Sequence, residues 1–381
     1  MQIPEYIDLQ KAIIENIYGT SAKKLPPLRE LAANYRVSLD TVHKALKALE
    51  KEDFITAGKR GYTVNDDILK KPSLKDHFIS DLFSSIKKGA DVKNCRIFLT
   101  SSLNAYYFEL IDLLTANFQG AGINSIIYRI PFYVPEDIEA EYKKIRKDLG
   151  SNDILIFLPG FPIKCTGIIR DCRKRKIKIV ALGYSSDPGI SSIMVDSFSG
   201  SYEALKFLSS LGRKNIAYAS GIPTSDDTDD YHYSHYRAYM EAVESGMTED
   251  NEKLIFPTSF ERIKNGMIAY ARQAVDYFLS LKKMPDAIFF GDDVAAAAAV
   301  NFIRRKGYRV PEDISIVGIN GSAAAELSDL EISTVFYPKE KITEAFLELG
   351  LSRTNWEEGR KIIIKSEFRK GNSCIRKEKG K

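Results

Sequence analysis

Two sets of side chains in this sequence have the types and spacing to do chemistry. The first lies in RVSLDTVHKAL, residues 36–46, where Asp40, His43 and Lys44 fall, with Lys47, on the side of a helical repeat opposite its apolar stripe, Thr41 adds a further polar group and Ser38 stands at the start. Donors and acceptors spaced in this way suit the reading of base edges in a major groove. At a helix start, free backbone N–H groups also favour a phosphate. Lys59 and Arg60, beside Gly61 in a short turn, could reach an adjacent groove or the DNA backbone. The second set follows two apolar runs. TSSLNAYYFELI supplies Ser101, Ser102, Asn104, Tyr106 and Tyr107, and FFGDDVAAAAAV supplies Asp292 and Asp293. Carboxylates and amides pair with sugar hydroxyls, and tyrosine rings stack on the apolar face of a pyranose. An aspartate at a strand end is also a common helix N-cap, which leaves one of the pair with that plainer alternative.

Catalysis is a weaker reading. His232 and His235 lie among acids in TSDDTDDYHYSHYR, yet the chain has no G-x-S-x-G, P-loop or HExxH pattern. Four histidines, and four cysteines without a CxxC pair, argue against a metal cluster and for reduced structural thiols. We therefore expect no catalytic residue, no cofactor and no metal.

The elements that position these groups follow from periodicity. Leu9, Ile13 and Ile17 line a first helix. Leu28, Leu31, Ala32 and Tyr35 line a second, opened by Pro26-Pro27. Val42, Ala45, Leu46 and Leu49 make the apolar stripe of a third, for which Ser38 is a good N-cap. Two short β-like runs, Phe54–Ala57 and Tyr62–Val64, close this part as a hairpin. Residues 66–94 read as a linker with an amphipathic middle (Leu74, Phe78, Leu82, Phe83, Ile86) that could dock on a neighbouring domain or a second copy. From Cys95 onward, β-branched runs such as CRIFLTS, DILIFLP, AIFFGD and SIVGI alternate with segments of helical length. That rhythm predicts α/β architecture with parallel sheets covered on both faces, long enough for two lobes. Ligands of such sheets bind outside the carboxyl ends of the strands.

Composition is that of a soluble globular chain, 44% hydrophobic and 28% charged, and no apolar run approaches the roughly 20 residues of a membrane helix. The first residues, MQIPEYIDLQKAI, lack the pattern of a signal peptide, so a cytoplasmic location is expected. The formal net charge of +4 is misleading, since Arg369 to the end alone carries +5 and residues 1–65 carry +2. Placement of charge, not its total, must make the case for DNA.

The run LPPLRELAANYRVSLDTVHKALKALEKEDFITAGKRGYTV resembles the winged-helix domain of GntR-type bacterial regulators, through its LP…RELA, VS…TV…AL…L and G-x-x-V features. The resemblance implies DNA contacts from Arg29, Ser38, Thr41 and Gly61. Leu39 and His43 stand where many members carry guanine-reading arginines, and Arg36 replaces the usual turn glycine. This implies a different operator, one richer in A·T or more reliant on Lys44 and the wing.

Residues 95–373 resemble the effector domain of LacI/GalR-type regulators, which shares the fold of periplasmic sugar-binding proteins. SIMVDSFSGSYEALKFLSSLGRKNIAYASG, GYRVPEDISIVGING and EFRKGNSC carry the match. The resemblance places Asn104 and Tyr106 in a first ligand loop and Asp293 as the sugar-binding acid, with Asp292 in an asparagine position. It puts Asn320 at an interlobe crossover, and either His235 or Arg237 in the role of a ligand arginine. Asp196 falls at another crossover, as hinge or ligand contact.

The whole resembles the arabinose-repressor type of chimera. That implies a homodimer on double-stranded operator DNA, controlled by a small carbohydrate effector, a monosaccharide, around which the core closes. A core that senses a non-sugar ligand or a protein partner is the alternative. Residues 1–65, 66–94, 95–373 and 374–381 are the expected head, linker, core and basic tail.

Overall fold

A computed structural model describes residues 9–10, 12–14, 17, 23–35, 37–51, 54–58, 61–65, 92–100, 105–130, 135–158, 165–183, 185, 187, 189–221, 234–263, 265–351 and 359–377. The linker's amphipathic stripe, Lys59, Arg60, Ser102 and Asn104 lie outside the described residues.

In the head, the described residues among 9–17 are helical, followed by α1 (Leu28–Tyr35) and α2 (Leu39–Lys51). The hairpin is β1 (Ile55–Gly58) and β2 (Gly61–Val64), antiparallel, with Ile55 opposite Val64. Leu9, Ile13, Ile17, Leu31, Val42, Ala45, Leu46, Leu49, Phe54 and Val64 bury together, so the expected stripes of the helices and the hairpin share one small core. The hairpin gains a third line from the segment before α1. The Leu25 N–H donates to the Tyr62 carbonyl and the Val64 N–H to that of Lys23.

The core runs β3 (Asn94–Thr100), α3 (Ala105–Gly120), β4 (Asn124–Ile130), α4 (Pro135–Ile145), β5 (Asp153–Leu158), α5 (Thr166–Arg175), β6 (Lys178–Leu182) and β7 (Ser191–Asp196). It continues through α6 (Ser197–Ser210), β8 (Ile216–Ala219), α7 (Ser234–Glu244), α8 (Met267–Ser280), β9 (Ala287–Phe290), α9 (Asp293–Arg305) and β10 (Ser315–Asn320). The last elements are α10 (Ala323–Glu326), β11 (Ser333–Phe336), α11 (Lys339–Leu351), β12 (Lys361–Lys365) and β13 (Glu367–Arg369).

Two sheets result. The first lobe has order β12-β7-β6-β5-β3-β4, all parallel; the second has β13-β11-β10-β9-β8, parallel except for β13. Each sheet has an apolar cluster on either face, and β5, β8, β9 and β10 are buried along their whole length. Strands covered on both sides read as unbroken apolar runs, which is why the sequence signalled them.

The chain crosses between lobes at Asp196–Ser197, at Tyr337–Pro338 and at Ser366. Two of these strands are tied together. The Ser366 N–H and hydroxyl both donate to the Asp196 carbonyl (3.2 and 2.6 Å), and Ser366 Oγ accepts the Gly200 N–H at 3.1 Å. The Asp196 carboxylate caps α6 through the Phe198 and Ser199 N–H groups, so it serves the hinge.

One expectation is corrected. Asn320 is not at an interlobe crossover: the chain stays in the second lobe through α10 and β11, and the Asn320 carbonyl merely accepts the Tyr337 N–H beside the crossing. The start of the basic tail, expected at 374, packs on the second lobe. Cys374 is buried, the Ile375 carbonyl is bonded to Arg213, and Lys377 pairs with Asp286 at 2.7 Å. Among the described residues, no helix is long and apolar enough to cross a membrane.

Candidate functional site

On α2 the polar face is built as its spacing predicts, with Asp40, His43 and Lys44 exposed opposite the buried stripe. Ser38 accepts the Thr41 N–H at 3.0 Å, which is the side-chain cap of this helix start. Thr41 itself is buried, its hydroxyl 2.8 Å from Ser38 Oγ, so it braces the turn and does not face outward as a DNA contact. Lys44 pairs with Asp40 at 2.7 Å across one helical turn, both well exposed, which is a weak and exchangeable pair. Leu39 is 48% exposed at the helix start, one turn before His43. An apolar side chain left in water beside donors suits contact with a thymine methyl. Arg29 is exposed near the start of α1. Gly61 opens β2 at φ +111°, a conformation a β-carbon would strain although the space around it is open.

In the core, polar groups gather at the carboxyl ends of the strands. Asp292 precedes α9; its Oδ1 accepts the Ala295 N–H at 3.1 Å and its Oδ2 accepts from Asn320 Nδ2 at 3.2 Å. It is thus both cap and partner of a second polar group. Asn320 holds φ +108° at the end of β10, an uncommon backbone state kept by its surroundings. His235, on α7, bonds Ser220 Oγ through Nε2 at 3.0 Å and lies beside the Tyr218 ring. A β-carbon on Gly291 would meet Ser220 Oγ, so the glycine lets the ends of β8 and β9 close up and brings His235 and Asp292 to one place. Arg237 is exposed and stands over the Phe198 ring at 5.2 Å, on the first turn of α6. Of the two expected alternatives, His235 is therefore the residue held at the strand ends.

Tyr107 comes to this place from the first lobe. Burial pushes its phenol up to about 12, and the neighbouring Asp292 charge pushes the same way. Tyr106, expected as the ligand aromatic, is instead packed into the first lobe's core. Its ring meets Tyr107 and Tyr337 edge-on, at 5.5 and 6.0 Å. One residue along a helix turns the side chain by about 100°, and here that decides which tyrosine lies near Asp292.

Asp293 is the larger correction. It is fully buried, with Oδ1 accepting from Thr334 at 2.6 Å and Oδ2 from the Ser322 N–H at 2.7 Å and the Ser322 hydroxyl at 3.1 Å. Those bonds fix the β10–α10 loop, whereas Asp292 bonds Asn320 and the start of α9. Burial raises the Asp293 carboxyl to about 7, the Asp292 charge adds to this, and the Thr334 and Ser322 bonds oppose it. An unfolded aspartate titrates near 3.9. Between about 4 and 7 the folded state therefore holds a proton that the unfolded state lacks, so this group favours folding as pH falls through that window. We expect Asp293→Asn to flatten this dependence. Thermal melts at pH 5 and 8 should show wild type losing stability to the variant at pH 8, by a few kcal/mol at most given about 1.36 kcal/mol per unit. An unchanged difference would mean that Asp293 titrates normally.

Sequence reasoning overlooked Ser220, Glu109 and Lys339. Ser220 follows the run NIAYA and was within reach of the strand-end rule. Glu109 and Lys339 lie on helices that meet the second lobe only after folding.

Residues 6–64 match the family model of bacterial regulatory proteins of the gntR family, and residues 205–374 match that of the periplasmic binding protein-like domain. The HTH-type transcriptional repressor PurR of Serratia proteamaculans is 23% identical over 277 residues, covering 73% of this chain and 78% of that protein; PurR of Yersinia pestis aligns to the same extent. Among solved structures, a LacI family regulator from Enterococcus faecium with bound ribose superposes with a TM-score of 0.63 at 17% identity, over 75% of this chain and all of that one. The regulator CCPA from Weissella paramesenteroides with bound sucrose gives 0.61 at 16%, over 74% and 99%. A CelR–cellobiose complex gives 0.59 at 17%, over 92% and 100%. The head thus carries a DNA-binding domain of the gntR family of bacterial regulatory proteins, and the core a periplasmic binding protein-like domain with the fold of the LacI family structures above.

Proposed function

We propose that the chain binds operator DNA in the cytoplasm as a homodimer, and that a small carbohydrate, a monosaccharide, binds between its lobes and alters its hold on DNA. The observation that carries the effector reading is the convergence of Tyr107 from the first lobe with Asp292 and Asn320 from the second. A phenol near a carboxylate and its carboxamide partner, at the strand ends where the lobes meet, would offer stacking and hydrogen bonds to adjacent sugar hydroxyls. The sugars bound to the similar structures named above support the same class of ligand.

The dimer reading rests on apolar surface. Ile268 and Leu327, 56% and 85% exposed, flank a groove between α8, α9 and α10 that also holds Arg272, Arg305 and Asp329. About a two-fold axis, such a patch can bury its apolar side chains and pair its opposite charges. Phe108 on α3 and Ile127 on the same face of β4, an edge strand, leave further apolar surface exposed.

The test is a thermal-shift panel of ribose, arabinose, xylose, sucrose, cellobiose and sugar phosphates on the full chain. A ligand at about 100 times its Kd adds roughly 2.7 kcal/mol to stability. One sugar should raise the melting temperature of wild type and not that of Asp292→Ser, which keeps a helix cap but cannot reach Asn320. If no carbohydrate shifts wild type, the sugar reading fails and a non-sugar ligand or protein partner takes its place. If the variant responds fully, the cleft assignment fails.

A further inference from the structure

The loop that presents Asn320 is gripped from both lobes. On the second-lobe side, Asp293 takes the Ser322 N–H and hydroxyl, and Thr334 Oγ1 accepts the Gly321 N–H at 3.2 Å. On the first-lobe side, Glu109 of α3 accepts the Ala323 N–H at 2.9 Å, an N–H that opens α10. Ser322, the N-cap residue of α10, makes no capping bond with its own side chain, so this carboxylate does that work from the other lobe. The second Glu109 oxygen accepts from Lys339 Nζ at 2.7 Å, and the same ammonium donates to the Gly321 carbonyl at 3.0 Å. Lys339 also sits 5.6 Å from the centre of the Tyr106 ring, next to Tyr107.

The Lys339 and Glu109 side chains are only 15% and 30% exposed. A shielded pair with further charge-assisted bonds to backbone holds far better than a pair in open water. Both partners belong to the first lobe and both seize one four-residue segment of the second. Moving α3 away from α10 must break the Glu109–Ala323 bond, while Lys339, two residues past the Tyr337–Pro338 crossing, anchors Glu109 to the Gly321 carbonyl beside the hinge.

We propose that Glu109 and Lys339 form an interlobe latch on residues 320–323, which holds the cleft partly closed before any effector enters. The regulatory meaning of this latch rests on the effector reading above, but its existence does not. It adds a positioning role, since the latched loop carries Asn320 and hence the partner of Asp292.

The experiment measures the lobe separation in the full chain without ligand. Spin labels at Lys174→Cys on α5 and Glu241→Cys on α7, both exposed positions, report one distance distribution by pulsed electron resonance; the native cysteines among the described residues are buried. Diluted with excess unlabelled chain, so that an assembly holds one labelled copy, the chain carrying only the two labels should give a single, narrow distribution. Glu109→Gln and Lys339→Met should each move or broaden it, and the double variant should go no further than the larger single, because one latch is being opened. Unchanged distributions in both single variants would overturn the latch, whatever the sugar panel shows. A shifted distribution with no sugar response would sustain the latch and sink the effector reading. Should Glu109→Gln fail to fold, as judged by circular dichroism, Lys339→Met tests the same latch from its other half.

Discussion

Arg213→Ala is expected to cost about 3–5 kcal/mol, because several buried carbonyls lose their donor at about 1–3 kcal/mol each and local relaxation recovers part of that. The guanidinium is wholly buried and donates to the carbonyls of Asp286 (3.1 Å), Asp313 (3.1 Å), Pro311 (2.8 Å), Glu312 (3.0 Å) and Ile375 (3.3 Å). These carbonyls belong to three separate segments: the entry to β9, the turn before β10 and the chain end. Removing the fork leaves them facing one another in a dry interior. At roughly 2–4 °C per kcal/mol for a domain of this size, the melting temperature should fall by about 10 °C. Arg213→Lys should recover only part of the loss, since an ammonium cannot span the same fork. A loss below about 1 kcal/mol would show that the carbonyls find water.

His43→Ala should relax base preference at one position of each half-site, by about 1–3 kcal/mol. Lys44→Ala should instead weaken binding across all sequences and lower the slope of log K against log salt by roughly 1. The measurement starts from a random DNA pool selected by wild type, followed by titration of both variants on the recovered sequences. Inverted half-sites in that pool are expected of a homodimer, and a single half-site would count against one. A·T steps opposite Leu39 would fit its exposed side chain. If His43→Ala leaves the sequence preference untouched, α2 positions the head without reading bases.

The head was legible because its signals are local. A stripe at i, i+3, i+4, i+7 forces Val42, Ala45, Leu46 and Leu49 inward and leaves Asp40, His43 and Lys44 outside, whatever the rest of the chain does. The same holds for β5, β9 and β10, where unbroken apolar runs imply strands buried on both faces. KIIIK at 361–365 was missed as a strand, since exposed lysines flank a short run at the sheet's edge. It pairs with β7, some 170 positions earlier.

The site shows the limit more sharply. Sequence located the strand-end groups Tyr106-Tyr107 and Asp292-Asp293 to within one residue, because apolar runs end where strands end. Which member of each pair is locked into a lobe's interior depended on helix rotation and on partners far along the chain. Thr334 and Ser322 claim Asp293, while the first lobe's own core claims Tyr106. Glu109 and Lys339, 230 positions apart, carry no mark in the sequence at all. Periodicity is set by neighbours a few residues away and can be read from the chain alone. The pairing of polar groups across a cleft is set by how two lobes meet, and only the folded structure decides it.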